Sequence, residues 1–221
     1  MNLTKKLLFI SLLSYSSSSI AASCTANGAG FTGTCTDTLE EYNVTMKSVR
    51  LHQSGAATNS FITIAEKDST FDIASAGANS NVGDYVSNAT VPFGTYDQLV
   101  FVIDTGYTLK GGTTGGSSNP CATDTGGSGN VKVTSGSSTG AVVSATESNP
   151  GGLSYIDGTS FFIVLDSNDV AGLPITVEPG DGFNFSIEFN MSAGIRYTYA
   201  GGSCTGADLG DINPTMNISN I

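Results

Sequence analysis

From Phe183 to Met191 every second residue is large and apolar: Phe183, Phe185, Ile187, Phe189 and Met191 alternate with Asn184, Ser186, Glu188 and Asn190. Successive side chains of an extended strand point to opposite faces, so this period puts five apolar groups on one face and polar groups on the other. The same pattern recurs along the chain. Candidate strands cover residues 42–52, 61–65, 70–74, 95–104, 131–134, 141–145, 160–166, 174–178, 195–199 and 215–218, and beyond the first 22 residues no stretch carries a helical period. Many short strands separated by Gly, Asn, Asp and Pro turns define an all-β chain, expected to fold as an antiparallel β-sandwich.

Two local features sharpen this reading. In residues 42–52, Val44 and Met46 share one phase while Val49 and Leu51 share the other. A regular strand would turn half of them to the wrong face, and a β-bulge near Lys47-Ser48 restores the register. In Val91-Pro92-Phe93-Gly94, Pro92 supplies the fixed φ of the second position of a type I turn and Gly94 the fourth position. The strand that follows is apolar on both phases from Leu99 to Ile103, which suits an inner strand and not an edge facing water. Asp104-Thr105-Gly106 is expected to return it to solvent.

Only 12% of residues are charged, and 19 acids against 8 Lys and Arg give a net charge of −11. Nucleic acid is excluded as a partner, because phosphates demand clustered Lys and Arg. The acidic excess favours solubility or affinity for cations, and Ser, Thr, Asn and Gly must cover most of the surface. These residues are densest at about 105–140. Such a segment buries too little apolar surface to offset its ordering entropy, so it is expected as a long loop or broken hairpin inserted in one domain spanning 23–221. The alternative is a linker between two domains, the first ending near Asp104 and the second starting near Val131.

At the start of the chain Lys5 and Lys6 precede the apolar run 7–13, and a Ser-rich segment ends in Ala21-Ala22. This is the layout of a secretory signal peptide, so residues 1–22 are expected to be removed. The apolar run is shorter than the roughly 20 residues of a spanning helix, and no later segment is apolar enough to be transmembrane. The expected location is extracytoplasmic: periplasmic, cell-surface or secreted. There the four cysteines, Cys24, Cys35, Cys121 and Cys204, pair as two disulfides, in one of three ways. Cys24 and Cys35 read as a local staple, which leaves Cys121 and Cys204 to tie the middle of the chain to its end. Lipid on Cys24 is the alternative; the Ala at position 21 and the odd thiol it would leave argue against it.

Chemistry finds few footholds. His52 is the single histidine and no H-E-x-x-H motif is present, so neither a triad nor zinc has the residues it needs. His52 reads as a strand-end or surface imidazole, and no catalytic residue is assigned. Calcium is the one cofactor with candidate ligands: Asp166, Asn168 and Asp169 concentrate oxygen ligands after a strand, with Glu178 and Asp181 of a later turn as partners. They lack EF-hand spacing, and an Asx-type turn is the simpler reading. Tyr197 and Tyr199 share one face of a strand, where core packing is favoured over an exposed platform for sugar.

The segments TFDIASAG (residues 70–77) and NATVPFGTYDQLVFVID (88–104), preceded by YNVTMKSVRL (42–51), resemble an uncharacterised family of secreted bacterial proteins with a V-P-x-G-x-Y turn and strand. More broadly they are similar to transthyretin-like, carboxypeptidase-regulatory-like and carbohydrate-binding-like β-sandwiches, many of which are surface or sugar-binding modules. The resemblance covers about residues 42–104. It implies an immunoglobulin-like or transthyretin-like sandwich and supplies no catalytic residue. The expected function is that of an exported, non-enzymatic binding or adhesion module whose partner is a glycan or a cell-surface protein. The alternatives are a self-associating subunit of an extracellular filament or biofilm matrix, and a carbohydrate-active hydrolase using paired carboxylates.

Overall fold

A computed structural model describes residues 24, 30–58, 60–74, 91–113, 119–147, 154–170, 172–179, 183–191, 193–210 and 213–220, with the backbone alone for 154–157, 183–190 and 213–220. The expected signal peptide lies outside these residues. The described chain is β throughout and its strands pair antiparallel.

The ladder is organised by β4 (Gly94–Gly111), which contains the doubly apolar segment singled out above. One edge of β4 pairs with β2 (Leu39–Gln53), from Tyr96 opposite Gln53 to Gly111 opposite Leu39. The other edge is shared by three shorter strands: β10 (Ile175–Val177) on residues 94–96, β9 (Ser160–Leu165) on 99–104 and β7 (Val143–Thr146) on 106–109. Outside them β3 (Phe61–Asp72) pairs with β2 and β8 (Ser154–Asp157) with β9, completing a seven-stranded sheet. A second sheet joins β1 (Gly33–Asp37), β12 (Ile195–Ala200) and β13 (Ser203–Leu209). Two ribbons complete the described strands, β5 (Cys121–Ser128) with β6 (Val133–Ser135) and β11 (Phe183–Asn190) with β14 (Asn213–Asn220).

The sandwich core lies between the two sheets. Tyr42, Val44, Tyr107, Leu109, Val143 and Ala145 from the larger one meet Ile195, Tyr197, Tyr199 and Ala207 from the smaller. Tyr197 and Tyr199 are therefore core residues. At the other end of β4, Leu99 and Phe101 join Val49, Leu51 and Leu165 in a second cluster, while Val100, Val102 and Phe162 form a third. Both phases of the inner strand are thus buried, as its sequence demands.

The bulge expected in β2 is present. Lys47 has no counterpart on β4 and stands against two residues of β3, Lys67 and Asp68, so Val44 joins the first core cluster while Val49 and Leu51 join the second. Asp104-Thr105-Gly106 does not end the strand as expected. It forms a wider irregularity, three residues of β4 against Thr45 alone, after which the strand resumes. Asp104 Oδ1 accepts the Gly106 N–H at 2.9 Å. Thr105 donates its N–H to Thr159 and accepts that of Glu147, so the irregularity falls where the second edge of β4 passes from β9 to β7.

Among its described residues the Gly-rich region holds the end of β4 together with β5 and β6, which pair antiparallel with a register shift between Thr123 and Ser128, a broken hairpin and not a long loop. The physical reason is close backbone approach: a Cβ on Gly112 would overlap the Ser138 carbonyl, and one on Gly140 would overlap that of Gly111. Here glycine permits contact as well as freedom. Thr123 ties the same layers, accepting the Gly111 N–H at 3.2 Å and donating to the Ala141 carbonyl at 2.5 Å. A domain boundary after Asp104 would cut β4 in two.

The disulfides are Cys24–Cys35 and Cys121–Cys204, spanning 11 and 83 residues. On the chain-entropy model they contribute about 3 and about 4.5 kcal/mol. Replacing Cys121 and Cys204 by Ala should therefore lower the unfolding free energy more than the same change at Cys24 and Cys35, as read from denaturant midpoints. Gly112→Ala should cost about 3 kcal/mol through overpacking. Gly206→Ala, where a Cβ meets nothing within 4 Å, should change stability by under about 0.5 kcal/mol.

Candidate functional site

Because β10 and β9 pair with the start of β4 while β2 ends beside it, three connections emerge at one rim of the larger sheet: the turn at residues 53–60, the bend at 91–93 and the loop 166–174. The Ser54 N–H donates to the Thr95 carbonyl at 2.8 Å, which fixes the first connection to the strand leaving the second. Rims of this kind hold loops on a rigid scaffold, where binding residues concentrate.

The bend presents Phe93, 65% exposed and the most exposed large apolar side chain among the described residues. Its mount is rigid. Tyr96, fully buried, donates its hydroxyl to the Pro92 carbonyl at 2.6 Å, and burial raises the pKa of that phenol. Gly94 takes φ +149°, a conformation that favours glycine. Proline, glycine and a buried tyrosine therefore hold one aromatic ring out into solvent.

His52 stands at the end of β2, one of its two expected places, and at 7% exposure it is buried there and not on the surface. Its Nδ1 lies 2.7 Å from Asp97 Oδ1 and its Nε2 lies 3.1 Å from the Ala57 carbonyl oxygen. Both ring nitrogens thus face acceptors of the protein itself, so in this arrangement neither is turned toward a substrate.

Asp166, Asn168 and Asp169 are brought together as a turn. Asp166 Oδ1 accepts the Asn168 N–H at 2.7 Å, Asp169 Oδ2 accepts the Asp166 N–H at 3.1 Å, and the Asp166 carbonyl accepts from Asp169 and Val170. This is the Asx chemistry that favours such residues in turns. Among the described residues no group of three or more His, Cys, Asp and Glu side chains is arranged to hold a metal ion. Glu178 is exposed at the end of β10, and Asp181 lies outside the described residues.

Two other groupings are structural. Lys47 reaches Asp104 at 2.8 Å and donates to the carbonyl and hydroxyl of Thr159. Its hydrogen bond, with that of the Gly106 N–H, lowers the Asp104 pKa. Gly136-Ser137-Ser138-Thr139-Gly140 has the G-x-S-x-G spacing of a nucleophile elbow. It follows β6 as a bend, without the strand-to-helix turn the motif requires.

The model of a family described as a domain of unknown function, DUF4382, matches residues 34–204. The chain belongs to that family. No curated protein and no solved structure matches it. The DUF4382 match starts inside β1 and ends at Cys204, so it takes in all three rim connections and both ends of the Cys121–Cys204 bridge, while Cys24 precedes it.

Exhaustive treatment with EDTA should leave the thermal midpoint of this DUF4382 protein unchanged, and Asp169→Ala should cost about 0.5 kcal/mol for the lost hydrogen bond. A midpoint that falls on chelation and returns with calcium would convert the Asx turn into a metal site.

Proposed function

We propose that this protein is an exported, non-enzymatic binding or adhesion module that engages a glycan or a cell-surface protein through the rim around Phe93. One observation carries the reading: an exposed aromatic ring on a mount built from Pro92, Gly94 and the buried Tyr96. A rigid aromatic offers a large contact area for little conformational entropy, and it stands out on a surface that is otherwise poor in charge. The disulfides support an oxidising, non-cytoplasmic compartment. The engagement of both nitrogens of the one histidine supports a non-catalytic role.

A filament grown by strand pairing is the weaker reading. The long edge strand β3 carries a bulge at Lys67 and Asp68, with Glu66 beside them, and charges and bulges are devices that oppose edge-to-edge association.

Phe93→Ala should leave the thermal midpoint unchanged, because the side chain is largely solvent-exposed. It should weaken retention on the glycans or surface proteins captured by the parent chain at least tenfold, read on a glycan array and by surface plasmon resonance. A ligand bound equally by parent and variant would rule out the Phe93 rim, and a parent chain that retains none would overturn the binding reading.

A further inference from the structure

The surroundings of His52 contain one more device. A carboxylate and a backbone carbonyl only accept hydrogen bonds, and these are the two partners of the ring, Asp97 Oδ1 and the Ala57 oxygen. A neutral imidazole has one N–H and would turn a lone pair toward one of these acceptors. The imidazolium donates to both. The pocket is therefore complementary to the charged ring, although the residue is only 7% exposed.

From β3, Phe61 meets the ring edge-on with centroids 5.7 Å apart, and on β4 the uncharged Gln98 stands opposite His52 in register. On its own strand, Arg50 donates Nε–H to Ser48 Oγ at 3.1 Å and lies over the Phe162 ring. At the end of β9, the Asp166 carboxylate accepts a backbone N–H within its own loop. Asp97 is the acidic side chain bonded to the imidazole.

We propose that His52 is a proton-operated clasp that fastens the turn between β2 and β3 to the first residues of the central strand, releasing the turn as the solution becomes alkaline. The Ala57 carbonyl is the point of attachment; it also accepts the Ser60 N–H at 2.7 Å, and the Ala56 N–H closes the same turn on Gln53 at 3.0 Å. When the ring loses a proton, the carboxylate of Asp97 retains the N–H at Nδ1. The proton leaves from Nε2 to water, and the bond to Ala57 is the one lost.

The direction follows from the partners. The hydrogen bond to Asp97 raises the His52 pKa, and the Ala57 carbonyl adds to this, while burial opposes both. A folded value above the ordinary one, about 6.5, means that the clasp is fully closed below that pH and is lost as the pH rises through the higher folded value. If the rim binds as proposed above, alkaline solution would loosen one wall of it; the clasp itself is independent of that reading.

Since the chain has one histidine, imidazole ¹⁵N and ¹H resonances of the oxidised full-length protein report His52 alone. The titration midpoint should lie above 6.5, with both nitrogens protonated at neutral pH. Exchange protection of the Ala56 and Ser60 amides, corrected for intrinsic rates, should fall over the same interval, about tenfold for each unit by which the midpoint exceeds 6.5. Asp97→Asn, at a half-exposed position, should move both midpoints down together, and His52→Gln should make protection independent of pH. A His52 midpoint at or below 6.5, or protection that stays flat while the ring titrates, would overturn the clasp.

Discussion

The fold depends on the requirement that an inner strand satisfy hydrogen-bonding groups along both of its edges. β4 meets it asymmetrically, with β2 along nearly its whole length on one side and β10, β9 and β7 in succession on the other. A change of partner would leave backbone groups unpaired, and Thr105 closes that gap by bonding to the ends of both flanking strands. The irregularity at 104–106 thus lets one strand serve two neighbours on the same edge.

That arrangement also makes the candidate site. Strands that pair with the start of β4 bring their connections to one level, so the turn at 53–60, the bend at 91–93 and the loop 166–174 become neighbours despite wide separation in the chain. A buried tyrosine and a buried histidine each turn a polar atom toward one of these connections, Tyr96 to Pro92 and His52 to Ala57. Such bonds order rim backbone that no ladder reaches.

Much of this was legible in the sequence, where apolar periodicity was strong. The central strand, the alternation in β12 and the bulge at Lys47 are written in the phases of Leu99 to Ile103, of Tyr197 and Tyr199, and of Val44 against Val49. The strands that were not legible are β1, β5, β8 and β13, whose sequences GTCTD, CATDTGGS, SYID and SCTGADL hold few large apolar residues. β1, β5 and β13 are ordered by partners that supply the ladder and by the disulfides of Cys35, Cys121 and Cys204, and β5 also by the Thr123 hydroxyl. The glycines near residue 112 left a long loop and a broken hairpin both open, because the sequence displays their freedom and conceals what approaches them. His52 was legible as a strand-end residue and not as a buried one: its two acceptors are Asp97 and Ala57, and nothing local announces that pairing.

The sequence by itself determined the all-β class, the inner strand and the cysteine economy, because alternation, two-phase hydrophobicity and parity are properties of neighbouring residues or of simple counts. Only the tertiary structure decided which connections share a rim, how glycines close the layers and why one imidazole is held between two acceptors. Those outcomes turn on which backbones meet across the sheets, and such distances are set by the packing of the whole chain.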